Sequence, residues 1–199
     1  MAMTPTRSAA CPVCATAWIE QACAESGVAL TPLEQRRLIA ALLSHRHLIV
    51  SGPAGIGKER LIQALAQAVT QGRQEYVQEI QGHPWWAART GDVARFVDLQ
   101  TEFSVWRLLT FAESALDGKD AHPIQEHVAC IQRMSPVEVS IYFEKFLGWL
   151  TARVSNQPLR LFGTYDSNVQ PLVANQACPQ FSLVHLNPVQ GTDAGLSEN

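Results

Sequence analysis

Apolar positions along the chain switch between a helical period and short unbroken runs. In "TPLEQRRLIAALLSH", Leu33, Leu38, Ile39 and Leu42 recur at helical spacing and share a face. Thr31 suits the N-cap of that helix, Pro32 its first turn, and Glu34 the reciprocal position of a capping box. A shorter helix is predicted before it, over 15–26, ended by Gly27. "HLIVSG" then forms a short apolar run, the pattern of a strand buried on both faces. "KERLIQALAQAVTQG" returns to helical periodicity and stops at Gly72.

The alternation continues. "EYVQEIQG" predicts a second strand. "HPWWAARTGDVARFVDLQ" follows neither period, and Pro84, Gly91, Asp92 and Asp98 mark it as loop. "TEFSVWRLLTFAESALDG" is amphipathic and ends at Gly118, a good C-cap. "EHVACIQRM" predicts a buried strand, and "SPVEVSIYFEKFLGWLTARV" a helix with Ser135 as N-cap and Pro136 in its first turn. "QPLRLFGTYDSN" reads as a strand entering a polar turn, and "PQFSLVHLNPV" as a last strand closed by Pro188. Strands alternating with helices define an α/β fold whose sheet is mainly parallel. The expected organisation is an N-terminal extension with a short helix (1–28), one α/β domain (29–190) and a disordered tail (191–199).

Composition narrows this picture. The chain has 199 residues, 47% of them hydrophobic, enough for one domain with a sizeable core. Its net charge of −3, with no lysine- or arginine-rich run, gives no electrostatic footprint for nucleic acid. No run approaches the ~18 apolar residues of a membrane span, and the N-terminus lacks the apolar stretch of a signal peptide. A cytoplasmic protein with cysteines kept as thiols is expected. Cys11 and Cys14 form a C-x-x-C half-site with Cys23 nearby. A structural zinc wants a second pair, which the sequence lacks, so these are read as ordinary cysteines.

The chemistry concentrates in "GPAGIGKE". Gly52, Pro53, Ala54, Gly55, Ile56, Gly57 and Lys58 match G-x-x-x-x-G-K between an apolar strand and a periodic helix, the setting of a P-loop. Glycines let backbone N–H groups turn toward phosphate oxygens, and Lys58 reaches the β- and γ-phosphates. Glu59 breaks the pattern where Ser or Thr would give Mg²⁺ a neutral hydroxyl ligand. Its carboxylate has three readings: an unusual Mg²⁺ ligand, a group repelling phosphate, or a partner for Lys58.

Taken with "VACIQRMSPVEVSIYFEKFL", "LRLFGTYDSN" and "FSLVHLNP", the loop resembles the AAA+ ATPases of the McrB/MoxR branch over residues 30–190. The resemblance implies a large-subdomain fold, without the helical lid, and a nucleotide ligand, ATP or GTP. It also marks losses. Gln132 stands where the family places the Walker B aspartate for Mg²⁺, Arg133 where it places the glutamate that activates water, and Asp166 where it places the sensor 1 asparagine. "ACPQFSL" has no arginine where the family carries its finger. Arg133 stays protonated and cannot act as a general base. A missing arginine finger alone lowers the rate by ~10³–10⁵. Mg²⁺ is left without its usual ligands.

The resemblance therefore implies a degenerate P-loop protein, a pseudo-ATPase acting as a protein-binding or regulatory component of a larger assembly. Its implied partner is a canonical AAA+ subunit or a second copy, and a bacterial or phage defence system is the setting by analogy of fold. Two alternatives stay open: an ATPase or GTPase completed in trans by a partner, and a nucleotide-sensing switch that does not hydrolyse. At the site itself, Glu59 is expected to pair with Arg133 or Lys58 and fill the metal space. His45 and His47 are read as surface and strand-edge residues, and Trp85 and Trp86 as an interface element. A catalytic triad built on "TYDSN" is discarded, because no G-x-S-x-G elbow supports it.

Overall fold

The computed structural model describes residues 11–44, 47–81, 107–116, 126–134, 159–167 and 181–188. Three helices are bounded within them: α1 (Pro12–Ser26), α2 (Pro32–Leu43) and α3 (Lys58–Val69). Residues 107–116 are also helical. The strands are β1 (His47–Gly52), β2 (Val77–Gln81), β3 (His127–Gln132), β4 (Leu159–Asp166) and β5 (Phe181–His185). They form one sheet in the order β2-β3-β4-β1-β5, with every pairing parallel. The α/β expectation and its parallel sheet are therefore observed.

Sheet order explains why the chain has two apolar layers. The chain leaves β1 for the far edge at β2, then steps back through β3 to β4. Right-handed crossovers running in opposite directions must lie on opposite faces of the sheet. Accordingly α3, between β1 and β2, packs on the face carrying Leu48, Val50, Val128, Cys130 and Phe162. The helical residues Leu108, Phe111, Ala112 and Ala115, between β2 and β3, pack on the face carrying Ile49, Ala129, Ile131, Leu161 and Tyr165. Strand parity divides the two sets, since successive side chains point to opposite faces. It also places Asp166, even-numbered like Phe162 in β4, on the α3 side of the sheet.

Local chemistry sets the helix ends. Thr31 and Glu34 form the expected capping box of α2, and Pro32 opens it. The helix α1 starts three residues earlier than its periodicity suggests, because Cys11 serves as N-cap and its sulfur accepts the Cys14 N–H at 3.2 Å. Gly27, at φ 71°, ends it as expected. Ala15, Ile19 and Ala22 of α1 are buried in the same core as Leu61, Ile62 and Leu65 of α3. The segment read as an extension thus contributes directly to the core of the sheet domain. The helix α3 stops at Val69 with Thr70 as C-cap, short of Gly72, because Gln71 and Gly72 turn left-handed at φ 58° and 74° and the Gly72 N–H closes back on the Gln67 carbonyl at 2.7 Å.

His47 is a correction. The sequence reads it as a surface and strand-edge residue; it does open β1, but it is 2% exposed rather than at the surface. Its Nδ1 accepts the Leu161 N–H at 3.0 Å, so the ring supplies an acceptor just before the β1–β4 ladder begins at Leu48 and Phe162. That bond fixes Nδ1 without a proton. His45, Trp85, Trp86, the helix from Ser135, the segment before Phe181 and the tail 191–199 lie outside the described residues. No described helix is long and apolar enough to cross a membrane.

Candidate functional site

The site forms where β1, β3 and β4 end side by side, the edge at which parallel α/β sheets place ligands. The loop from Gly52 to Gly57 leaves β1 there and delivers Lys58 to the first position of α3. Three glycines permit its path. Gly55 and Gly57 take φ values of 83° and 89°, a region that side chains disfavour. At Gly52 a Cβ would lie 2.6 Å from Ile56 Cδ1 and 2.8 Å from the Leu186 carbonyl. A Cβ at Gly57 would lie 2.7 Å from Val28 Cγ2, so the segment after α1 presses against the last turn of the loop.

Lys58 is 1% exposed, unusual for an ammonium. A buried charge needs partners, and Lys58 has two. Its Nζ donates to the Pro53 carbonyl within the loop at 2.6 Å. It also forms an ion pair with Asp166 Oδ1 at 2.5 Å. The sheet register builds this contact. Gly52 lies opposite Asp166 in the β1–β4 ladder, and the Ser167 N–H donates to the Gly52 carbonyl at 3.0 Å.

The expected pairing of Glu59 with Arg133 or Lys58 is not formed. Among the described residues, no ion pair involves Glu59 or Arg133. Consecutive helical residues point about 100° apart, so when Lys58 faces β4 its neighbour Glu59 cannot face the same point. Glu59 is half-buried in the first turn of α3, where a carboxylate complements the amino end of a helix. Arg133 lies beyond the end of β3 at φ 57°, with its N–H donating to Thr164 Oγ1 at 2.9 Å and its side chain exposed. Gln132 is half-buried at the end of β3, opposite Gln81 of β2. The charged contact beside the loop therefore joins Lys58 to Asp166, the last residue of β4.

Two arrangements around the site had no clear signal in the sequence. The Ser51 hydroxyl lies 3.1 Å from His185 Nδ1, tying the last turn of β1 to β5. Met134 packs against Gly163, where a Cβ would collide with the Met134 sulfur, and the Met134 N–H donates to the Thr164 carbonyl at 2.8 Å. Gly163 thus lets the chain beyond β3 close over β4 just before Asp166.

At the far end of the domain, Cys11 and Cys14 are both exposed. The Cys14 thiol and N–H hydrogen-bond to Cys11 and hold its thiol below the ordinary range, while Cys14 is raised by the same contact. Among the described residues, no group of three or more His, Cys, Asp or Glu is arranged to hold a metal ion. No protein-family model matches the chain, and no curated protein matches it.

Proposed function

We propose that this chain is a catalytically degenerate P-loop domain of the AAA+ type, resembling the McrB/MoxR branch. In this reading it serves a larger assembly as a protein-binding or regulatory component, alongside a canonical AAA+ subunit or a second copy. One observation supports it above the others: Lys58, the side chain that would meet the β- and γ-phosphates, is held by a carboxylate of its own chain.

The fit of a nucleotide is mixed. The loop has the glycine path and the amino end of α3 that suit a phosphate, so Gly52 to Lys58 would hold ATP or GTP. Mg²⁺ fits poorly. The end of β3 carries an amide and a cation, Gln132 and Arg133, where a hard divalent ion takes carboxylates. The Asp166 carboxylate is engaged by Lys58, which leaves Glu59 as the free acid beside the loop among the described residues. Phosphoryl transfer relies on neutralising charge and on placing water, and neither Gln132 nor Arg133 supplies a base. Binding without hydrolysis is the outcome this residue set favours.

The alternative of an NTPase completed in trans draws on Glu59. Its carboxylate is not consumed by an ion pair among the described residues and stays available to a metal. Turnover of ATP and GTP with Mg²⁺, with and without Lys58→Ala, separates the readings. Calorimetry with both nucleotides accompanies it. The proposal expects no Lys58-dependent turnover in the isolated chain. Turnover that Lys58→Ala abolishes would establish the enzyme instead.

A further inference from the structure

We propose that Asp166 is the resident counterion of the glycine loop, so that a phosphate group enters only by displacing this carboxylate from Lys58. The inference rests on the P-loop reading above and adds the residue that controls access to the loop. Its evidence is the geometry of the pair and of the strands that hold it.

The backbone fixes where Asp166 sits. The residue ends β4, opposite Gly52 of β1, and the next residue bonds back to the Gly52 carbonyl. One strand over, the N–H groups of Arg133 and Met134 both bond to Thr164, holding β4 from its other side. The carboxylate therefore reaches the loop because two parallel ladders place it there, and a chance rotamer of a mobile loop is not needed to explain the contact.

The pair is also asymmetric. Lys58 is 1% exposed and Asp166 28% exposed. An ammonium leaving this position would lose its bond to the Pro53 carbonyl, whereas Asp166 already faces solvent and can turn outward to be hydrated. Lys58 is therefore the fixed partner and Asp166 the leaving one. While the pair stands, the two side chains sum to zero charge where phosphate recognition needs a positive one. An incoming dianion also meets a like charge at contact distance. Asparagine at this position would keep the size and one acceptor oxygen while removing that charge.

The test is calorimetry with inorganic pyrophosphate and with ADP, without Mg²⁺, on the full chain. Wild type is compared with Asp166→Asn, Asp166→Ser, Lys58→Ala and the double variant Asp166→Asn/Lys58→Ala. Circular dichroism identifies the folded variants, and the smaller serine variant guards against a folding defect peculiar to asparagine. We expect the uncharged variants to bind pyrophosphate at least about ten-fold tighter than wild type, a change equivalent to ~1.4 kcal/mol. The gain should vanish in the double variant.

Equal or weaker binding by the Asp166 variants, with wild-type binding still dependent on Lys58, overturns the counterion role and leaves the P-loop reading standing. No binding by any folded variant removes the P-loop reading and this inference with it. In wild-type protein the ¹³C resonance of the Asp166 carboxyl should move as pyrophosphate binds. Binding that leaves that resonance in place also overturns the proposal.

Discussion

Glu34 shows how far a single residue reaches beyond its own helix. One carboxylate oxygen accepts the Thr31 N–H at 2.7 Å and the Thr31 hydroxyl at 2.8 Å. The other accepts the Asn187 N–H at 2.8 Å and its side-chain amide at 3.3 Å. Burial alone would raise the Glu34 carboxyl, but these bonds from Asn187 and Thr31 outweigh it and hold it below the ordinary glutamate value of 4.5. A carboxyl lowered on folding stabilises the protein above its unfolded value, and that contribution fades as pH falls through the folded one. Glu34→Gln should therefore lower the melting temperature at pH 7, by the loss of about 1–3 kcal/mol expected for bonds to a charged group. It should also flatten the fall in stability below about pH 4.5. Thermal melts from pH 7 to pH 3 check both; an unchanged acid slope would place the charge elsewhere.

The capping half of this arrangement was legible, because Thr31 and Glu34 are three residues apart. The half that reaches Asn187 spans 153 positions and leaves no local trace. Lys58 follows the same rule. Sequence reading singled out both Lys58 and Asp166 yet chose the adjacent Glu59 as a partner, because the deciding term was the register of β4 on β1.

At the scale of elements, starts and stops with strong chemistry were readable and weaker ones were not. Thr31, Pro32 and Gly27 announced themselves, whereas a cysteine N-cap is not a standard signal and the start of α1 was missed. His47 misled because a polar residue at a strand entrance usually meets solvent, and here it serves a neighbouring strand instead. The contact between the segment after α1 and the loop also had no sequence signal, and it makes a prediction. Gly57→Ala combines a disfavoured φ of 89° with a Cβ 2.7 Å from Val28 Cγ2. It should destabilise the domain by about 1–3 kcal/mol in chemical denaturation. Adding Val28→Ala should recover the steric part of that loss and leave the backbone part. A double variant no more stable than the single one would mean that Val28 does not limit this turn.

For the whole molecule, the sheet has an apolar layer on each face, and β3 in its interior carries Cys130. Burial pushes this thiol far above the ordinary range, and its S–H points to the Ile62 carbonyl at 3.7 Å. Thiolate is the reactive form, so native Cys130 should resist alkylation while the exposed Cys11, whose thiol is lowered, reacts promptly. Labelling of Cys130 should then proceed at the rate of global opening, measured by quenched alkylation and peptide mapping. Labelling of Cys130 as fast as Cys11 would show that the sheet opens locally. The alternation of elements gave away the α/β class. The two-layer division needed the strand order, which no single segment encodes.

The same strand order has a kinetic consequence. The strand β1 carries the loop, and among the described residues it lies between β4 and β5 in the sheet. Leu161 meets His47 across 114 positions, and His185 meets Ser51 across 134. As the chain emerges from a ribosome, α1, α2 and α3 are all synthesised before β1 has either partner. The strand can make neither of these pairings until more than a hundred further residues have been added, and closing such loops is slow. Lys58 cannot meet Asp166 in that interval. The glycine loop, read so early in the sequence, can gain its native sheet neighbours only late in synthesis.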